Sequence, residues 1–225
     1  MKIPIPKTFQ EAKWLGKHGK EYSHGWVLKP WQLDKLWEER ITGGVTRSCI
    51  INKFIGDFDR NTKILEVGCN VGNQLAMLSM MGFKNLHGIE LIPEAVQFAH
   101  RRGFLRVEQG SALDLLYLDK SFDLVMACWV LSHIGPEHVK TAVDEIKRVG
   151  KHAFITENWA EKEKCVTKNY LWQRNHLNLF LDEESEPGVH KMFRVLEHEI
   201  YPPAKPSPSA PSHSKGRTDA FLLRV

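Results

Sequence analysis

Residues 63–78 read KILEVGCNVGNQLAML, and this stretch decides the fold. KILEV is a short, largely apolar run, the pattern of a strand buried on both faces. GCNVG follows at once, and NQLAML then places apolar residues at helical spacing. A buried strand that runs through a glycine-bearing turn into a helix opens a βαβ unit. Gly68 and Gly72 permit tight turning and a close backbone approach where a side chain would collide with a ligand. Asn70 lies between them, and asparagine is among the few residues that tolerate a left-handed backbone.

The alternation continues outward from this unit. NLHGIE (85–90), LRVEQG (105–110), FDLVMAC (122–128) and HAFITE (152–157) read as further strands. Helical patterns begin between them near Asn73, Pro93 and Pro136. The two prolines suit a first helical turn, where the missing N–H costs nothing. Residues 189–201 and 217–225 read as two last strands, joined as a hairpin around PPAKPSPSAPSHSKG. With five prolines and four serines, residues 202–216 read as a flexible Pro/Ser-rich surface loop. The expectation is an α/β fold with a doubly wound, mostly parallel seven-stranded sheet and an antiparallel edge. Residues 1–58 differ in character. Trp14, Tyr22, Trp26, Trp31 and Trp37 crowd a short span, and WQLDKLWEERI and CIINKFIGDF have helical spacing. They are expected to form an aromatic, helical lid on a binding domain of residues 59–225.

Composition bounds the function. The chain has 225 residues, 42% hydrophobic and 26% charged, enough for one domain with a core that needs no metal or disulfide staples. The net charge of +4 is interspersed rather than gathered in a basic arm, so an anionic partner is permitted but not indicated. Cys49, Cys69, Cys128 and Cys165 are widely spaced, without the pairing of a zinc site or a disulfide framework. No run of 18 apolar residues and no signal-like start is present. The expectation is a reduced, cytoplasmic protein with no metal and no membrane partner.

The turn also selects a ligand class. Eighteen residues after Gly72, the second strand ends in Glu90, placed to accept hydrogen bonds from both hydroxyls of a ribose. A dinucleotide site expects G-x-G-x-x-G, whereas G-C-N-V-G lacks the second glycine. This disfavours a nicotinamide dehydrogenase and suits a nucleoside without a diphosphate.

Residues 62–158 resemble the class I S-adenosylmethionine-dependent methyltransferases, whose first motif runs acidic-x-Gly-x-Gly-x-Gly. Here it reads Glu66-Val67-Gly68-Cys69-Asn70-Val71-Gly72, with Asn70 in place of the middle glycine. LEVGCNVGNQL, VLSHIGPEHV and the closing DAFLLRV resemble more particularly the pseudaminic acid biosynthesis-associated methylases. The resemblance implies S-adenosyl-L-methionine as cofactor, with Glu66, Gly68, Cys69, Asn70 and Gly72 around the methionine moiety. It implies Glu90 at the ribose, and Leu91 and Ile92 flanking the adenine. In GSALDL, Ser111 and Ala112 stand where such enzymes recognise the adenine amino group, usually with an acidic residue. Cys128 and Trp129 match positions beneath the sulfonium and its methyl group.

Methyl transfer requires alignment of nucleophile and methyl carbon, and removal of a proton when the nucleophile is a hydroxyl. The catalytic candidates beyond strands four and five are His133 and Glu157. His133 reads as a general base or as a structural histidine bonded to backbone, Glu157 as a substrate-orienting group or a strand-end cap. In KNYLWQRNHLNLF (168–180), Tyr170, Arg174 and His176 read as substrate contacts or solvent-facing groups. The expected reaction is methyl transfer to a hydroxyl or amine of a small molecule, a sugar or secondary metabolite. A nucleic-acid methyltransferase is disfavoured, because Ala127-Cys128-Trp129-Val130 replaces the Asp/Asn-Pro-Pro-aromatic motif and no proline precedes Cys128. A protein methyltransferase and a catalytically silent S-adenosylmethionine-binding protein are the remaining alternatives.

Overall fold

A computed structural model of the chain describes residues 5–167, 170–181, 194–202 and 217–225. The seven-stranded sheet follows from the apolar runs. Its strands are β1 (Lys63–Val67), β2 (Asn85–Glu90), β3 (Val107–Gln109), β4 (Leu124–Cys128), β5 (His152–Trp159), β8 (Arg194–Tyr201) and β9 (Arg217–Arg224). Their order is β3-β2-β1-β4-β5-β9-β8. The first five are parallel, while β9 runs antiparallel between β5 and β8. The doubly wound, mostly parallel sheet is therefore as expected. Residues 189–193 of the sixth expected strand and 203–216 of the Pro/Ser-rich loop lie outside the described residues.

The pleat sorts side chains onto two faces. In β4, Val125 and Ala127 join the core beneath α7 (Pro136–Val149) and α8 (His176–Leu181). Leu124 and Met126 join the opposite core, beneath α3 (Pro30–Leu36), α4 (Arg47–Ile55) and α5 (Asn73–Met80). Pro136 opens α7 and Pro93 opens α6 (Pro93–Arg101), each in the first turn, where its missing N–H leaves no bond unmade. Thr46 caps α4 by accepting from Cys49 N at 3.1 Å. Ile50, Ile51, Phe54 and Ile55 of α4 are all buried, each worth about 1.5–3 kcal/mol of hydrophobic stabilisation. α4 thus packs as a layer against the sheet.

The elements above the strand ends are α1 (Phe9–Leu15), α2 (Lys17–Gly25), α3 and a π-helical turn Trp37–Ile41. Thr8 Oγ1 starts α1 by accepting from Glu11 N at 3.1 Å. Trp37 is buried and stacks on Trp129 with ring centres 5.5 Å apart, whereas Trp31 is mostly exposed. A second, two-stranded sheet pairs β6 (Lys164–Thr167) with β7 (Leu171–Gln173). This small sheet lies within the stretch that the sequence left without elements.

Candidate cofactor and catalytic site

The parallel strands end together at one side of the sheet, where the chain leaves β1 through the Gly68–Gly72 turn. Gly68 N and Cys69 N both donate to Ile89 O, at 2.8 and 3.1 Å, which ties the turn to β2. Gly68, Asn70 and Gly72 have φ of 65°, 48° and 77°, so asparagine holds the left-handed position as its side chain allows. A Cβ on Gly68 would stand 2.4 Å from Val130 Cγ2. The residue therefore keeps room for the β4 loop as well as for a ligand. Gly72 lies off the pocket lining, facing Phe104 and Ala99, and starts α5 in the left-handed conformation.

Two acidic groups flank the turn. Glu90 is buried, accepting from Asn70 N through Oε2 and from Ile92 N through Oε1, both at 2.8 Å. Burial raises its carboxyl above the ordinary value, and the backbone donors oppose that rise. A carboxylate has about four lone-pair sites, so acceptor capacity remains beyond these two bonds. Glu66 lies beneath the turn, and burial pushes its carboxyl up to about 8 despite the opposing charge of Arg47. Its Oε2 and Asn70 Oδ1 are buried without partners, although both residues line the pocket. Unsatisfied polar atoms in a cavity wall are what a polar ligand would complete.

The remaining walls come from distant segments. Cys69, Leu91, Ile92, Ser111, Ala112, Cys128 and Trp129 all line this cavity. Burial pushes the Cys128 thiol up to about 12, so it stays protonated near neutral pH and is no nucleophile. Trp129 has a φ of 55°, a costly conformation for a bulky residue, and its backbone N–H donates to Thr156 O at 2.9 Å. From above come Glu11, Trp14, Tyr22, Trp26 and Trp37. Trp14 packs edge-on against Tyr22 and His133, with ring centres 5.3 and 4.8 Å apart.

His133 and Glu157 part company. His133 lines the pocket. Its Nδ1 lies 3.0 Å from Tyr170 O, and a carbonyl only accepts, so Nδ1 carries the proton and Nε2 is the acceptor nitrogen in the neutral ring. Glu157 is fully buried and lies off the pocket. It accepts from Val130 N, Leu131 N and Ser132 N at 2.7, 2.8 and 3.1 Å, and from Ser132 Oγ at 2.5 Å. Of the two readings of Glu157, these bonds describe the structural one: its carboxylate is enclosed by the loop that leads to His133. Arg174 and His176 are also buried rather than solvent-facing, and Arg174 pairs with Glu163 at 2.9 Å.

Several groups at the site escaped the sequence reading. Arg47 is completely buried, donating to Gln74 Oε1 at 2.8 Å and Thr156 Oγ1 at 2.9 Å. Arg102 donates to Val71 O, Asn73 Oδ1 and Leu28 O at 2.7–2.8 Å, pinning the segment after α2 to the β1–α5 turn. Glu11 meets Ser111 across 100 residues of sequence. Nothing local marks these three as different from surface charges. Among the described residues, no group of three or more His, Cys, Asp or Glu is placed to hold a metal. No helix there is long and apolar enough to cross a membrane.

The strand order, the glycine turn beside Glu90 and the cavity over the parallel strand ends define the Rossmann-like methyltransferase fold. Residues 65–153, which run from β1 into β5, match the methyltransferase domain family. Over 103 residues the chain is 29% identical to an uncharacterized protein of Haemophilus influenzae, covering 43% of this chain and 41% of that protein. The match thus spans about two fifths of that relative. Among solved structures, a SAM-dependent methyltransferase from Aquifex aeolicus superposes with a TM-score of 0.55 at 17% identity, covering 88% of this chain and 100% of its own. The [4+2]-cyclase SpnF superposes with a TM-score of 0.65 at 15% identity, covering 98% of both chains. Domain match and fold agree: residues 65–153 are similar to methyltransferase domains, and the chain shares the fold of a SAM-dependent methyltransferase.

Proposed function

We propose that this chain transfers a methyl group from S-adenosylmethionine to a hydroxyl or amine of a small molecule, a sugar or secondary metabolite. One observation carries the reading. The cavity that joins Gly68, Glu90 and Cys128 is covered by Trp14, Tyr22 and Trp37, with His133 in its wall. A covered, aromatic-lined cavity favours a compact acceptor over a polymer strand. The finer likeness to pseudaminic acid-associated methylases rests on the sequences around Gly68 and His133 and points to a sugar. Residues 5–41 then act as the lid over the methyltransferase domain, in a chain whose described cysteines are free thiols, as suits the cytoplasm.

The bound cofactor supplies an electrophilic methyl group on sulfur. The chain's own residues do the rest. Glu90 would accept from the ribose hydroxyls, and the orphan oxygens of Glu66 and Asn70 would satisfy polar groups of the methionine moiety. The indole of Trp129 and the aromatic lid exclude water from the methyl group. His133 Nε2 takes the proton of the attacking group, its ring oriented by Tyr170 O. Glu157 is a positioning residue that fixes the 130–132 backbone leading to that histidine.

The test has two stages. Thermal shift with S-adenosylmethionine, S-adenosylhomocysteine and NAD should show stabilisation by the first two alone, because a ligand specific for the native state raises its stability. A screen of methyl acceptors by mass spectrometry should then find product with a sugar or metabolite. This second stage decides between catalysis and a silent binder, since the likeness to a [4+2]-cyclase shows that this fold does not fix one reaction. Stabilisation by NAD instead would overturn the cofactor assignment.

A further inference from the structure

We propose that Glu11, on α1, supplies the carboxylate that recognises the 6-amino group of the cofactor's adenine. The lid helix would then be part of the nucleoside site. This rests on the cofactor reading above. That reading sets where the base would lie. The methionine end belongs over β1 and β4, at Gly68 and Cys128, and the ribose over β2, at Glu90. The base then falls on the remaining side, over the ends of β2 and β3, where Leu91, Ile92 and residues 110–113 form the wall.

That wall offers apolar faces but few acceptors. Ser111 Oγ donates to Glu11 Oε1 at 2.5 Å and accepts from Leu113 N at 3.0 Å, so its hydrogen is committed. Gln109 turns its amide to Leu91 O at 3.2 Å. Asp114, although close in sequence, is half-exposed, pairs with Lys7 at 2.7 Å and lies off the pocket. Glu11 is the carboxylate on this side that lines the cavity, and it is only 8% exposed. Its Oε2 accepts from Lys7 N at 2.5 Å. Together with the Ser111 bond this uses about half of a carboxylate's acceptor capacity. An exocyclic amine is a pure donor and complements what remains. Ser111 thus carries no charge of its own in the loop after β3 but holds in place a charge brought from a helix 100 residues away.

The inference predicts discrimination between an amine and a carbonyl at this position. Calorimetry on the full chain would compare S-adenosylhomocysteine with S-inosylhomocysteine, in which an acceptor oxygen replaces the amine. The parent chain should prefer the amine by about tenfold or more, because a carboxylate is left facing an acceptor in the other case. E11A should erase most of that ratio, and E11A/S111D should restore it by supplying the carboxylate from the loop. E11Q should also lower the ratio, since an amide can donate to the carbonyl, and it serves if the alanine variant fails to fold. Taking the ratio within one variant cancels any general loosening of the lid. A ratio that survives both E11A and E11Q, or a parent chain that binds both ligands equally, overturns the role of Glu11 and leaves the cofactor reading intact. A parent chain that binds neither overturns the cofactor reading itself.

Discussion

Glu66 is a buried acid whose Oε2 lacks a partner, and the physics of that one oxygen can be measured. Its carboxyl is raised from 4.5 to about 8, chiefly by burial. The folded chain therefore holds a proton that the unfolded chain releases, so the stability contributed by Glu66 is fully present below about pH 4.5 and is lost as pH rises to about 8. Glu157, raised to about 7 by burial, has the same sign and stops contributing above that value. Glu66→Gln should flatten the upper part of the curve, between 7 and 8, in urea unfolding midpoints taken across this range. A cationic ligand beside Glu66 should release the proton, so affinity for S-adenosylmethionine should rise with pH in the same window. A second prediction concerns Glu90. Glu90→Ala should weaken S-adenosylhomocysteine binding by about tenfold to a hundredfold, the scale of two charge-assisted hydrogen bonds. It also removes the acceptor for Asn70 N, so Glu90→Gln, which preserves shape, should lose less. Equal affinity in both folded variants would remove Glu90 from the site.

α1 and α2 form a helical hairpin that closes on one glycine. A Cβ on Gly19 would stand 1.8 Å from Trp14 O and 2.9 Å from Ile92 Cδ1. The first distance involves backbone and cannot be relieved by a rotamer change. Gly19→Ala should therefore push α2 away from α1 and lift Trp14 and Tyr22 from the cavity. We expect faster trypsin cleavage near Lys13, Lys17 and Lys20, loss of protection by S-adenosylhomocysteine, and a sheet that still unfolds cooperatively. Wild-type cleavage in this variant would mean that the helices can separate without opening the cavity. The helix starts were legible because Pro93 and Pro136 mark them in the sequence. The β6–β7 pair was not, because strands of four and three residues carry too few alternations to register.

Across the whole molecule, ion pairs and ring contacts join the hydrogen bonds of Arg102 and Glu11 in tying the lid to the sheet domain, and their magnitudes differ. The ion pairs Lys7–Asp114 and Lys20–Glu94, at 2.7 and 2.6 Å, are both partly exposed, and such pairs contribute about 0–1 kcal/mol each. The rings of Trp14, His18, Tyr22 and His133 make a continuous aromatic cluster, with each ring pair worth about 0.5–1.5 kcal/mol beyond its buried area. Raising salt to about 1 M screens the first set and leaves the second. Lid protection against trypsin should accordingly change little with salt, whereas Trp14→Ala should abolish it. Salt-induced opening in the unsubstituted chain would assign the closure to the ion pairs.

By itself the sequence determined what is local: the five parallel strand runs, the helix starts, the left-handed turn at Asn70 and the acid at the end of β2. These depend on periodicity and on the conformational range of single residues, which neighbours in the chain settle. The tertiary structure alone decided which distant polar groups meet. Arg47 reaches Thr156 across 109 residues, Glu11 reaches Ser111, and Glu157 turns away from the cavity to hold the 130–132 backbone. It also decided that the last strand, β9, lies inside the sheet and β8 at its edge. A hydrophobic pattern states which face of an element is buried but not which polar side chain another element brings opposite it. That is fixed only when the layers pack and every buried donor must find an acceptor.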